Sequence, residues 1–502
     1  MLPRYWGAYE GANVRGGSLS QNGCGHFADF DDASLDYIKS LGCSHIWYTG
    51  VIRHSTCCTE RGCRPSHPQF VKGAAGSPYA ISDYYDVNPY LATDPSRRME
   101  EFASLVERTH SKGLKVILDF VPNHVSRDNV NFGLDDDKSV HWSPSNDFFY
   151  YPGAALNLPT EFVPTAEFPE PYAECPARAS GNDCYRATPD INDWYETVKL
   201  NYCSFHTPTW DKALDILRFW ASKGVDGFRC DMVELVPPEF FRWAIAVLKS
   251  EFPGLVFIAE VYDMSCYEFY SREVGFDLLY DKSGLYDTLR RIVSGQGSCR
   301  EITSLWQRLG PLQGRMLNFL ENHDEQRVAS RFFAGKADGA FAALAVSLLF
   351  MKAPFMLYFC EEVGEEAAFS EGFSGCDGRT SIFDWWAIPS QRWLQGQIHG
   401  CCGSEDSSRA AILEKYREIL RLRALPAFSE GENYDLCYCN ETSEGFNPDR
   451  HFAFLRYLGE ERYLVCCNFD SASPAEMSIF IPPLEKSVRL SVEPCSYNVV
   501  KL

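Results

Sequence analysis

The chain has 502 residues, 45% of them hydrophobic, and a net charge of −21. That length accommodates one large domain with one or two smaller ones. The apolar share is ample for a large core. The acidic balance repels phosphate backbones and anionic lipid, so nucleic acid and membrane surfaces are excluded as partners and a neutral polyol is not.

Apolar runs of strand length alternate with helical periodicity through most of the chain, as in an α/β barrel. A helix is predicted over 33–41, ended by Gly42, then a strand over 44–48. A second helix over 95–112 is closed by Gly113 and followed by a strand over 114–120. The unit over 208–223 has the clearest punctuation: Thr207 to cap it, Pro208 in its first turn, Gly224 at its end, then a strand over 225–229. Further strands are predicted over 256–259, 278–280, 317–320 and 355–359. Helices are predicted over 238–250, 286–293, 300–309, 337–350 and 409–423. The greasiest stretch, 341–359, is broken by Lys352 and Pro354 and divides into a buried helix and a strand rather than a membrane span.

Two regions break this rhythm. Residues 125–205 are rich in Pro, Asn, Asp and aromatics without periodicity, too long for a plain barrel loop, and read as an inserted subdomain. From 425 to 502 the pattern alternates, with strands predicted over 451–457, 462–469, 476–481 and 487–492, as in a small antiparallel β-domain. The expected organisation is therefore a (β/α)8 barrel formed by 1–124 and 206–424, the insert at 125–205 after the third strand, and a C-terminal β-sandwich at 425–502.

The 20 cysteines are scattered, and adjacent pairs such as Cys57-Cys58, Cys401-Cys402 and Cys466-Cys467 do not read as a disulfide framework. Many fall in predicted strands, where cysteine serves as a small hydrophobe. This favours a reducing compartment. With no charged start followed by an apolar run, it points to a cytoplasmic protein. Cys57, Cys58 and Cys63 lack a second paired cluster to complete a zinc pattern. Cys175 and Cys184 could bridge only in an exported protein.

Chemistry is concentrated in four segments: Asp119-Phe-Val-Pro-Asn-His124, Gly227-Phe-Arg-Cys-Asp231, Phe257-Ile-Ala-Glu260 and Glu321-Asn-His-Asp324. Each is greasy along a strand and polar at its end, which is how a barrel delivers catalytic groups to one face. Arg229 and Asp231 are two apart and so share one face of a strand. An adjacent guanidinium should lower the Asp231 pKa, and partial burial should raise that of Glu260. Taken singly, such an Asp is ordinarily a cap or turn residue and such a His a satisfied surface or core group. Together they suit cleavage of a sugar acetal.

In this order the segments resemble the four signature regions of the α-amylase family, glycoside hydrolase family 13. Pro189-Asp-Ile-Asn192 resembles a fifth signature, Gly76-Ser-Pro-Tyr79 the loop after the second strand, and Gly375-Cys-Asp-Gly-Arg-Thr380 extends the match. The resemblance implies that Asp231 is the nucleophile, Glu260 the acid/base and Asp324 the third carboxylate. It implies that Arg229 orients Asp231, that His124 and His323 bond sugar hydroxyls, and that Tyr79 stacks under the sugar. The implied activity is retaining hydrolysis of α-1,4-glucans such as starch, maltodextrin or glycogen, on oligo- or polysaccharide substrates. The alternatives are a transglycosylase on the same scaffold and, more remotely, a non-catalytic sugar-binding or assembly subunit.

The chain also departs from the family pattern. The family has a strand just before the segment that begins here at Leu2, so either the first strand is very short or the start lies upstream. Thr49-Gly50 stands where proline commonly closes the second strand. Glu234 and Leu235 replace the Lys-His that many α-amylases carry beyond the nucleophile. No cofactor is required for the chemistry. Asn123 matches a family calcium ligand, and Asp side chains of the insert offer further hard oxygens, though no Asp-x-Asn-x-Asp-Gly loop is present.

Overall fold

The computed structural model describes residues 1–400 and 406–502, so the Cys401-Cys402 pair lies outside the described residues. The chain divides into two compact units. The first takes Met1–Val261, Phe269–Asp277 and the described part of Ser381–Cys401. The second takes Tyr262–Glu268, Leu278–Thr380 and the described part of Cys402–Leu502.

In the first unit four parallel strands lie side by side: β1 (His45–Tyr48), β2 (Lys115–Phe120), β3 (Gly227–Cys230) and β4 (Val256–Ala259). The helices Asp32–Ser40, Arg98–Ser111, Pro208–Ser222 and Pro238–Glu251 alternate with them. Beside β1 the Met1 amino group donates to Trp47 O at 2.7 Å and Thr49 N donates to Met1 O at 2.9 Å. That is the hydrogen-bond pattern of a single parallel bridge.

Pro208–Ser222 shows why the sequence signals work. It buries Trp210, Ala213, Leu214, Leu217 and Trp220, a stripe at helical spacing. The Trp220 indole N–H is satisfied by Tyr84 O at 2.8 Å. Pro208 opens the first turn and Gly224, at φ +90°, supplies the left-handed exit. The expected Thr207 cap does not form: its backbone is extended, but its hydroxyl makes no capping bond.

The insert is irregular and held by small ladders. His124–Ser126 pairs antiparallel with Thr197–Lys199, and Tyr150–Tyr151 with Ala177–Arg178. Cys175 and Cys184 are both free. Among the described residues, no group of three or more His, Cys, Asp or Glu is arranged to hold a metal. No described helix is long and apolar enough to cross a membrane.

The second unit adds three parallel strands, β5 (Leu278–Tyr280), β6 (Met316–Phe319) and β7 (Phe355–Met356), paired in that order. The helix expected over 337–350 begins as a 3-10 turn, is α-helical over Phe341–Ala345 and widens to a π turn over Val346–Phe350. The expected strand over 355–359 shortens to two residues, because the chain enters a turn in which Cys360 is left-handed at φ 64°.

The C-terminal part is an antiparallel β-domain. Its four-stranded sheet runs Glu432–Asp435, His451–Leu458, Glu461–Asn468 and Tyr497–Lys501, beside the hairpin Ala475–Ile481 with Lys486–Val492. Leu436, Leu455, Leu464, Cys466, Met477 and Ile479 form its core. The architecture is thus a β/α barrel with an insert and a C-terminal β-domain.

Candidate active site

The parallel register dictates how the carboxylates meet in the first unit. Asp119 on β2 pairs with Arg229 on β3, and Arg229 with Ile258 on β4. Two residues further on, Asp231 and Glu260 occupy equivalent positions at the ends of adjacent strands. Their N–H groups continue the ladder, Asp231 N to Phe120 O at 2.9 Å and Glu260 N to Cys230 O at 3.1 Å. In-register parallel neighbours project to one face, and so do residues two apart. Arg229, Asp231 and Glu260 therefore converge by backbone geometry alone. Gly227 begins β3 because a Cβ there would stand 2.5 Å from Val256 O and 2.6 Å from Ile117 Cδ1.

Arg229 is fully buried and forks between both carboxylates. Its Nη1 lies 2.6 Å from Asp231 Oδ1 and its Nη2 2.7 Å from Glu260 Oε1. A bidentate guanidinium holds two anions at fixed spacing, which a lysine could not do. Besides this ion pair, Glu260 Oε2 accepts a hydrogen bond from Met232 N at 2.8 Å. Met232 is left-handed, φ 44° and ψ 49°, a conformation that L residues adopt at a cost of about 1–2 kcal/mol.

Electrostatics reverse one expectation. Burial, followed by the neighbouring Glu260 carboxylate, pushes Asp231 well above the ordinary aspartate range, and Arg229 only partly opposes this. Desolvation outweighs the guanidinium because a single cation is shared by two buried acids.

Tyr79 and Trp47 flank the guanidinium, each ring centroid 5.4 Å from its Cζ. Asp119 was not assigned a role from the sequence, although it begins one of the four segments. Its Oδ2 accepts from Trp47 Nε1 at 3.0 Å and Thr49 Oγ1 at 2.6 Å, its Oδ1 from Tyr79 OH at 3.4 Å, and Arg229 Nη1 lies 3.6 Å away. The departure from proline at Thr49 thus supplies a donor that orients Asp119.

His124 is buried with its ring 5.2 Å from Trp194. Burial and then Lys199 and Lys72 lower its pKa to about 3, so it is neutral. Asn123 lies beside it at zero exposure. The Asn123 Nδ2 donates to Gly181 O at 2.7 Å and meets His124 Nδ1 at 3.0 Å, and its Oδ1 accepts from Lys199 Nζ. Lys199 was not singled out in the sequence. Burial lowers its pKa and Asp183 pulls it back up. The segment Pro189–Asn192 is closed on itself: Asp190 N donates to Asp193 Oδ2 at 2.7 Å and Asn192 N to Asp190 Oδ1 at 2.8 Å.

The fourth segment belongs to the second unit. His323 Nε2 is 3.0 Å from Asp324 Oδ2, with the histidine buried and the aspartate 38% exposed. Asn322 Oδ1 accepts from Asp324 N and Glu325 N, both at 2.9 Å, and fixes the turn. Glu321 is structural: it accepts from Arg327 Nη1 at 2.8 Å and Val328 N at 2.6 Å, and burial raises its pKa to about 7. Arg327 in turn bonds Gly378 O and Thr380 Oγ1, which explains why the segment Gly375–Thr380 accompanies it.

A family model described as alpha amylase, catalytic domain, matches residues 31–243. "Alpha-amylase 3" of Dictyoglomus thermophilum is 26% identical over 407 residues, 78% of this chain and 71% of that protein. The amino acid transporter heavy chain SLC3A1 of Homo sapiens is 27% identical over 246 residues, 47% of this chain but 30% of that protein. Among solved structures, the cyclic alpha-maltosyl-(1→6)-maltose hydrolase of Arthrobacter globiformis in complex with maltose superposes with a TM-score of 0.66 at 19% identity, covering 100% of this chain and 98% of that one.

Proposed function

We propose that the chain is a glycoside hydrolase of the α-amylase type, the reading supported by the family-model match over residues 31–243 and the 26% identity to an α-amylase over 407 residues, and that it cleaves α-1,4-glucosidic bonds of maltodextrin-type glucans with retention of configuration. The observation that carries this reading is the fork of Arg229 between Asp231 and Glu260 at equivalent ends of adjacent strands. Retention needs two carboxylates close enough to share one anomeric centre, about 5–5.5 Å apart. Contact with one guanidinium brings both carboxyls to the same point at the strand ends.

In the first step Glu260 gives its proton to the glycosidic oxygen as the C1–O bond breaks, and an Asp231 oxygen bonds to C1. In the second step water attacks C1, Glu260 takes the water's proton, and the ester to Asp231 breaks. The first step needs one ionised and one protonated carboxyl. Glu260 is held for this step by the Met232 N–H, which bonds its Oε2. Arg229 spreads its charge over the transition state as negative charge leaves Asp231. Neutral His124 is suited to bond a sugar hydroxyl, and the Tyr79 ring to cover a sugar face. The roles of His323 and Asp324 in holding sugar hydroxyls rest on their motif.

Incubation with maltoheptaose, with Glu260→Gln as control, tests the reading. Shorter sugars absent from the control are expected. Products longer than the substrate would move the assignment to a glucanotransferase. No turnover on any α-glucan would refute it and favour a binding or assembly subunit, the reading that the partial likeness to a transporter heavy chain supports.

A further inference from the structure

Lys199 ends in a nest of oxygen atoms. Its Nζ is bonded to Asn123 Oδ1, lies 2.7 Å from Asp183 Oδ1 and donates to Leu235 O at 3.0 Å. The side chain is 7% exposed. The three acceptors come from distant parts of the sequence: the loop leaving β2, the insert, and the turn four residues beyond Asp231. An amide oxygen, a carboxylate and a main-chain carbonyl form the kind of hard-oxygen set that a calcium ion uses. Here the cation at their centre is covalent. An ammonium has three N–H donors, and three acceptors meet it, so the site is closed as it stands.

The surroundings hold this arrangement in place. Asn123 spends both amide hydrogens on its other side, toward Gly181 O and His124 Nδ1, which turns its oxygen toward Lys199. Gly181 approaches so closely that a Cβ there would lie 2.4 Å from Thr197 Oγ1 and 2.8 Å from His124 Cβ. His124 and Lys199 are register partners on the small ladder, so the ammonium and a candidate sugar-binding ring are set by the same strand pair. A divalent ion could take Asn123 only by expelling the ammonium or lying against it, and like charges in a buried site repel strongly.

We propose that Lys199 is a built-in cation that replaces calcium in tying the insert to the turn beyond Asp231, so that the fold holds without a bound metal. This rests on the contacts of Lys199 and not on the proposed reaction. Its test reads stability and metal content, so its outcome is separate from that of the hydrolase reading.

The test compares melting of the whole protein in excess EDTA and in millimolar calcium, with elemental analysis after calcium exposure and desalting. The expected result is the same melting temperature within about 1 °C and no stoichiometric calcium. Lys199→Ala, which removes the ammonium and leaves Asp183 and Asn123 facing a gap, is expected to melt about 5 °C or more lower in EDTA. Calcium is expected to recover part of that loss. Lys199→Met, which fills the space without charge, is expected to be destabilised and unresponsive to calcium. A wild-type protein that loses stability in EDTA, or that carries one calcium per chain, would overturn the proposal even if Lys199→Ala failed to fold. So would a Lys199→Ala protein as stable as wild type or indifferent to calcium.

Discussion

Met232 N–H points at Glu260 Oε2 from 2.8 Å, and Met232 reaches that position only by adopting a left-handed backbone. The residue after Asp231 therefore orients the carboxyl on the neighbouring strand. Strain of this kind persists where the surrounding structure over-determines it. Met232→Gly keeps the N–H and relieves the strain, so activity is expected within about tenfold of wild type and melting unchanged or raised by a few degrees. Met232→Pro removes the donor and forbids a positive φ. Its turnover is expected to fall at least about 100-fold, measured on a maltodextrin.

Arg229 is the other support of the pair. Arg229→Lys keeps a positive charge but cannot reach both carboxylates in one plane. A loss in kcat of about 100-fold or more is expected, with the fold retained on circular dichroism. Arg229→Ala leaves two buried acids uncompensated and is expected to cost about 3–5 kcal/mol in chemical denaturation. Equal activity of the lysine variant would argue against the shared-guanidinium account.

The raised Asp231 pKa gives a signed stability prediction. The folded protein favours the protonated form, so stability is fully present below the unfolded value near 3.8 and is lost as pH rises through the folded pKa. Asp231→Asn is always neutral. Its melting temperature is expected to exceed that of wild type at pH 7–8 and to converge with it as pH falls towards about 4. A gap that widens on acidification would show that Arg229 wins over burial.

His124 is held neutral, with its pKa lowered to about 3. A conservative His124→Gln change is expected to lower kcat/KM by about 10–100-fold while leaving the pH profile's shape intact. Disappearance of a limb near pH 6.5 in the variant would show instead that this histidine titrates during turnover.

The sequence reveals the elements whose periodicity and punctuation agree. Pro208–Ser222 and the helix Arg300–Leu309 lie where their patterns put them. The strands Ile52–His54 and Ile81–Val87 escaped notice because their pairing, interrupted by register shifts, depends on each other rather than on apolar alternation. The helix Pro389–His399 was also missed; its buried face includes Ser390, Gln391 and Gln395, so no apolar stripe marks it. The C-terminal strand Tyr497–Lys501 is half-exposed throughout and carries no alternation.

At the site, Asp231, Glu260 and Arg229 were legible because parallel strands carry residues two apart to the same face. Asp119 had a signal in its strand-end position. Lys199 had none: its role comes from three acceptors far apart in sequence. The Asp231 pKa was misjudged because spacing reveals a neighbouring cation but not how many buried acids share it.

During turnover Asp231 is expected to become covalently bound to sugar. The direct measurement is to react the protein with an activated fluorosugar of the α-glucosyl or maltosyl series, which slows hydrolysis of the intermediate, then digest it and locate the added mass. The account predicts one sugar per chain on the peptide containing Asp231, accumulating in wild type and absent in Asp231→Ala. An adduct on another carboxylate, or full turnover of maltodextrin with inversion at the anomeric carbon, would contradict it.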